Sequence, residues 1–272
     1  MIHTAGIDVG STYVKVAILD ERLGLAATAL RPTGFKLDDA AEGALADALA
    51  GAGLERGDLD YIASTGYGRH RVAFRDVQAT DLTAQAWGSR FFFPATMTVL
   101  DVGGQTMKAL RLDARGKVRS FRLNDKCAAG TGAFLEKTAR YLGVALEEIG
   151  QVVAESTNAV PISGVCAVFA ESEVINHVSQ GASPADIVHG AMRSLVKRSV
   201  QLMKRVQMEP EFTLVGGIMR FPTMVRVMTE ELGGGANVPP ESLVQFTGAI
   251  GAAVLARRRL DKRATEPQAL TA

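Results

Sequence analysis

Apolar and polar positions alternate along the chain in a way that lays out short strands and helices in turn. Gly6 to Val9 and Val99 to Val102 are runs of apolar, partly β-branched residues, each with one aspartate, that stop at glycine and small polar residues. Each leads into a second apolar run, so both stretches read as strand, tight glycine turn, strand. Asp38 to Leu54 is rich in alanine and leucine at helical spacing and follows a Pro32-Thr33-Gly34 turn. Leu59 to Ser64 reads as a strand ending in Thr65-Gly66-Tyr67-Gly68, and Phe134 to Leu142 as a helix stopping at Gly143. Ser183-Pro184-Ala185-Asp186 marks a helix start, with serine as N-cap and proline in the first turn, and the helix is expected to run to about Val206. Phe212 to Val215 is a strand ending at Gly216-Gly217, and Thr247 to Arg258 is a final helix before a tail that reads as loose beyond about Lys262.

The strongest internal signal is self-similarity. Asp8, Val9, Gly10, Lys15, Leu19, Asp20 and Arg22 recur, all at one offset, as Asp101, Val102, Gly103, Lys108, Leu112, Asp113 and Arg115. Chance rarely produces that without a gap. The expected architecture is therefore α/β, built of two related domains. Residues 1–97 with 246–272 form the first and residues 98–245 the second.

Composition adds limits. The 272 residues support a real core, and 47% hydrophobic content suits a folded chain. With 30 basic against 29 acidic side chains, bulk charge gives no reason to expect nucleic acid as a partner. No apolar run reaches the roughly 18 residues a membrane span needs. Met1-Ile2-His3-Thr4 lacks the charged and apolar regions of a signal peptide, so a cytoplasmic protein with no membrane association is expected.

Two cysteines, Cys127 and Cys166, stand without a CxxC spacing. They read as small buried thiols, or as half of a four-sulfur site that two copies of the chain would complete. The four histidines share no ligand spacing. A strand–glycine–strand turn leaves backbone N–H groups uncovered, able to hold phosphate oxygens. Asp8 and Asp101 end the first strands, where carboxylates suit a hydrated Mg²⁺. Ser11, Thr12, Gln105 and Thr106 can hydrogen-bond phosphates or position water. Either hairpin alone also reads as an ordinary turn; the duplication favours a pair of phosphate clasps.

Asp8-x-Gly10-Ser11-Thr12-x-x-Lys15, Asp101-x-Gly103-Gly104-Gln105 and Gly216-Gly217 resemble the two phosphate motifs and the adenosine motif of the actin, Hsp70 and sugar-kinase superfamily. The segments Asn124 to Glu136 and Ser163 to Ile175 narrow the resemblance. They look like the cluster motifs of the ATPase family that comprises activators of 2-hydroxyacyl-CoA dehydratases and ATPase subunits of benzoyl-CoA reductases.

The resemblance implies two actin/Hsp70-like (ribonuclease H-like) domains with a nucleotide cleft between them. It implies Asp8, Asp101 and Gln105 as catalytic residues, with Asp8 and Asp101 holding Mg²⁺ through water. Gly10, Ser11, Thr12, Lys15, Gly103, Gly104, Thr106, Gly216 and Gly217 would bind ATP or ADP. Cys127 and Cys166 would be ligands of one [4Fe–4S] cluster shared between two subunits. Partners would be a second ATPase subunit (identical or not), acyl-CoA reductase or dehydratase catalytic subunits, and a ferredoxin-like electron donor. Closure around ATP would move the helices at the cluster and drive low-potential electron transfer.

Dehydratase activators carry aspartate after the Gly-Gly-Gln motif, where this chain has Thr106. That departure puts benzoyl-CoA reduction first and 2-hydroxyacyl-CoA dehydration second. A small-molecule kinase of the same superfamily, a non-catalytic nucleotide-binding partner, and a bound zinc remain open. Glu136 and Lys137 read as surface pairs or as groups reaching the nucleotide.

Overall fold

A computed structural model describes residues 1–125, 130–163 and 167–265. The chain divides into two compact units, one of residues 1–94 with 246–272 and one of residues 95–245.

The first unit opens with β1 (Thr4–Val9), β2 (Tyr13–Leu19) and β3 (Leu25–Pro32), an antiparallel meander. Helix α1 (Leu37–Ala52) crosses over to β4 (Tyr61–Thr65), which pairs parallel to β1; β5 (Val77–Gln78) and α2 (Asp81–Phe92) follow. The sheet order is β3-β2-β1-β4-β5. Every residue of β1 is buried, because the sheet is covered on both faces, and apart from Thr4 and Asp8 its sequence accordingly runs apolar rather than alternating. Ile7, Val16, Ala41, Leu45 and Ile62 belong to one core layer.

The second unit repeats the opening with β6 (Thr98–Val102), β7 (Met107–Leu112) and β8 (Val118–Asn124). It then departs, through α3 (Gly132–Tyr141), α4 (Ile149–Ala154), α5 (Ala167–Ser179) and α6 (Pro184–Arg205), before β9 (Phe212–Val215) pairs parallel to β6 and α7 (Pro222–Leu232) follows. Its sheet order is β8-β7-β6-β9. The long α6 starts where its sequence signals it, with Ser183 Oγ accepting from the Asp186 N–H at 3.1 Å. Its apolar stripe, including Ile187, Met192, Leu195 and Met203, fills the core of this unit.

Helix α8 (Thr247–Thr265) returns to the first unit. Ala249, Ile250 and Ala253 lie in the apolar layer beside Ala17 and Leu19. The basic end of α8 is pinned there: Arg257 donates to Glu21 O and Asp261, and Arg258 lies 4.1 Å from the centroid of the Trp87 ring. Among the described residues no helix is long and apolar enough to cross a membrane.

Candidate nucleotide site

In the first hairpin, β1 and β2 place Asp8 opposite Lys15, and Lys15 Nζ stands 3.2 Å from Asp8 Oδ2. The turn closes with Gly10 N–H donating to Tyr13 O at 3.1 Å, and Thr33 Oγ1 donates to Gly10 O at 2.9 Å. Asp8 is only 8% exposed, so its charge depends on partners within the protein. Ser11 and Thr12 stand exposed at the tip. In the second hairpin Asp101 faces Lys108 at the same 3.2 Å, and Gly103 N–H donates to Thr106 O at 2.8 Å. Asp101 is 5% exposed, whereas Gly104 and Gln105 are exposed at the tip.

Each carboxylate is also fenced by a glycine at the end of the neighbouring parallel strand. Gly66 (φ +87°) follows β4, and a Cβ there would lie 2.3 Å from Asp8 Oδ1 and 2.6 Å from Val9 O. Gly216 (φ +99°) follows β9, and its Cβ would lie 2.6 Å from Asp101 Oδ1 and 2.4 Å from Val102 O. Both positions exclude any side chain, by space and by backbone conformation. Beside Gly216, a Cβ on Gly217 would meet nothing within 4 Å, so the backbone there borders open space.

The second hairpin carries one more attachment. Gly132 N–H donates to Gly103 O at 3.0 Å and Ala133 N–H to Gly104 O at 2.7 Å. The N–H groups at the start of α3 are thus spent on the carbonyls of the glycine turn. Ile218, next to Gly217, approaches the same place, with its Cδ1 3.7 Å from where a Gly132 Cβ would stand. Gly103, Gly104, Gly132 and the Gly216-Gly217-Ile218 segment therefore meet.

The residue types fit a magnesium nucleotide. Two nearly buried carboxylates sit beside turns whose tip residues, Ser11, Thr12, Gly104 and Gln105, are exposed. Thr65, in register with Asp8, has a buried Oγ1 with no hydrogen-bond partner among the described residues. Cys127 and Cys166 lie outside the described residues. Among the described residues no cluster of three or more metal-ligating side chains occurs. Glu136 pairs with Arg140 at 3.0 Å and Lys137 with Glu171, whose hydrogen bond raises the lysine's pKa. Glu173 accepts from the Ser163 N–H and so ties down the chain just before residue 164.

Lys108, Gly66 and Thr65 do not stand out in the sequence as site residues, whereas Gly132 lies inside the Asn124 to Glu136 motif. For Lys108 a signal is present, since it repeats Lys15 within the duplicated segment. For Gly66 and Thr65 only the folded backbone reveals the role.

Comparison with known proteins finds relatives over nearly the whole chain. The chain is 40% identical to the 2-hydroxyisocaproyl-CoA dehydratase activator of Clostridioides difficile, across 94% of this chain and 95% of that protein. It is 36% identical to a benzoyl-CoA reductase subunit of Thauera aromatica, across 97% of this chain and 96% of that protein. The solved structure of the Clostridium difficile activator of 2-hydroxyisocaproyl-CoA dehydratase with bound ADPNP superposes with a TM-score of 0.90 at 38% identity, covering 99% of this chain and all of that one. The two sheets and their helices are thus those of the actin and sugar-kinase-like ATPase fold. The model of the BadF/BadG/BcrA/BcrD ATPase family matches residues 5–256, and the chain belongs to that family.

Proposed function

We propose that this chain is an ATP-dependent activator of a 2-hydroxyacyl-CoA dehydratase. The observation that carries this reading is the likeness to the 2-hydroxyisocaproyl-CoA dehydratase activator, 40% identical over nearly the full length of both chains. In this reading Asp8 and Asp101 hold Mg²⁺ through water. Gly10, Ser11, Thr12, Lys15, Gly103, Gly104 and Thr106 bind phosphate oxygens, Gly216 and Gly217 border the adenosine, and Gln105 orients the attacking water. Cys127 and Cys166 supply two of four thiolates for a [4Fe–4S] cluster, the other two coming from a second subunit. Such a cluster carries single electrons at a potential set by N–H bonds and burial. The catalytic partner is the dehydratase component, and a ferredoxin-like protein supplies the electron.

Support for coupling comes from the two hydrogen bonds between the Gly103-Gly104 carbonyls and the start of α3. A turn that shifts when phosphates bind pulls on the helix that follows the Cys127 segment. ATP drives such a shift only as far as it binds one state better than the other.

This ordering reverses the expectation from sequence, which puts benzoyl-CoA reduction first on the strength of Thr106. That threonine closes its turn with a backbone carbonyl, a task independent of side-chain identity. One side chain is a thin warrant against the 40% likeness. The benzoyl-CoA reductase reading stays as the second, supported by the 36% identity to the Thauera aromatica reductase component.

Anaerobic purification and reconstitution test the proposal. Expected are a brown protein with about four irons per pair of chains, lost in Cys127→Ser, together with ATP turnover. Adding it to an inactive 2-hydroxyacyl-CoA dehydratase component should switch on dehydration. Activation of a benzoyl-CoA reductase component instead would favour the second reading. A colourless, iron-free protein that phosphorylates a sugar or carboxylate would contradict both.

A further inference from the structure

A cavity of about 470 Å³ opens between α6 and segment 159–162, entirely within the second unit. No hairpin residue lines it. Its wall is preformed. The Asp186 carboxylate accepts from Asn158 N–H (2.8 Å), Ser156 Oγ (2.8 Å) and Thr157 N–H (3.1 Å), and Val160 N–H donates to Asp186 O at 3.2 Å. On the far side, His177 Nε2 lies 3.0 Å from Pro161 O. Gly190 lets the segment lie against the helix, since a Cβ there would stand 2.0 Å from Val160 O.

The two sides of the cavity differ in character. Val160, Pro161 and Ile162 make one side apolar. On the other, Arg193 and Lys197 stand one helical turn apart and exposed. No carboxylate pairs with either among the described residues. Between them lies Ser194, 6% exposed, whose buried Oγ has no hydrogen-bond partner among the described residues. A helical serine ordinarily bonds back to a carbonyl one turn earlier or points to water. This one does neither and lines the cavity. Neighbouring His189 has its pKa lowered, first by burial and then by Arg193 and Arg226, against the opposing pull of Asp186 and Glu230.

The geometry points to a binding site for a small organic phosphate, with its phosphoryl group between Arg193, Lys197 and the Ser194 hydroxyl and its apolar part against Val160, Pro161 and Ile162. Two cations and a hydroxyl donor match a dianion with several acceptor oxygens better than they match a carboxylate, which has one charge and two oxygens. The apolar side has no use for inorganic phosphate.

Titration calorimetry on the full chain tests this with hexyl phosphate, inorganic phosphate and hexanol as probes. Hexyl phosphate is expected to bind about tenfold tighter than either of the others. Arg193→Glu/Lys197→Glu, two exposed changes, should weaken it at least about tenfold, and Ser194→Ala about threefold. Asp8→Asn should leave it unaltered, which separates this site from the hairpins whatever their role. No binding at millimolar hexyl phosphate would overturn the inference. So would equal affinity for all three probes, or loss of binding in Asp8→Asn but not in the charge-reversed variant.

Discussion

The two hairpins share a frame and differ in what is hung on it. Both pair a buried aspartate with a lysine at 3.2 Å across an antiparallel register, and both fence that aspartate with a glycine of positive φ from the parallel strand. Both meanders also turn back identically. Asp20 Oδ1 accepts from the N–H groups of Arg22 and Gly24, and Asp113 Oδ1 from those of Arg115 and Lys117. Each second strand then shifts register at the same point, Ile18/Leu19 and Arg111/Leu112. The divergence begins after the third strand. One helix, α1, lies between β3 and β4, whereas α3 to α6 and both cysteine segments lie between β8 and β9. The shared part holds the residues proposed to bind phosphate and magnesium. The inserted helices are where this family's own chemistry is expected.

Substituting the fencing glycines should produce the largest effect. Gly66→Val and Gly216→Val each force a Cβ within 2.6 Å of a carboxylate oxygen and a backbone carbonyl. Each should cost about 2–4 kcal/mol in denaturant unfolding, from the left-handed backbone and the clash together. A loss at one glycine only would break the symmetry between the hairpins.

Next come the ion pairs. Lys15→Met and Lys108→Met leave a nearly buried carboxylate without its cation, and each should lose about 1–3 kcal/mol. Removing the charge as well, in Asp8→Asn/Lys15→Met and Asp101→Asn/Lys108→Met, should recover part of that loss. A double-mutant cycle at each hairpin reads out the coupling, and similar values are expected.

A smaller effect separates the two β-turn loops. Leu23 occupies the left-handed position (φ +61°) that Gly116 (φ +78°) occupies in the other loop. Gly116→Leu should destabilise by about 1 kcal/mol, while Leu23→Gly should be neutral or stabilise by about 0.5 kcal/mol, since relief of strain competes with the entropy of the unfolded glycine.

The smallest effect distinguishes the inserted helices. The bonds from Asn158, Ser156, Ser183 and Thr157 lower the pKa of Asp186 from 3.8 to about 2. A depressed carboxyl pKa stabilises the fold in full above pH 3.8, and that contribution is lost as pH falls through about 2. Asp186→Asn should therefore flatten the acid limb of unfolding in that window; an unchanged acid limb would show that the carboxylate is not held this way.

Legibility followed burial and repetition. The hairpins can be read because identical residues recur at one offset, and α6 because Ser183 and Pro184 announce its start. β3 and β8 cannot, because both are edge strands with mostly half-buried or exposed residues and no clean apolar alternation. Helix α2 escapes because alanine, glycine and serine, rather than large apolar side chains, make up most of its buried face. For α7 the punctuation is present but easily overlooked: Pro222 opens it and Gly233 (φ +73°) ends it. The Asp–Lys pairs are half legible, with Lys15 inside a motif and its twin Lys108 visible only through the repeat. Cys127 and Cys166 are the most specific residues in the sequence, and both lie outside the described residues.

The central claim is that both hairpins serve one magnesium nucleotide. Mg·ATP titrated into the anaerobic wild-type protein should bind once per chain, and Asp8→Asn and Asp101→Asn should each weaken it at least about tenfold with folding intact. Full affinity in either variant, or two nucleotides per chain, would contradict it.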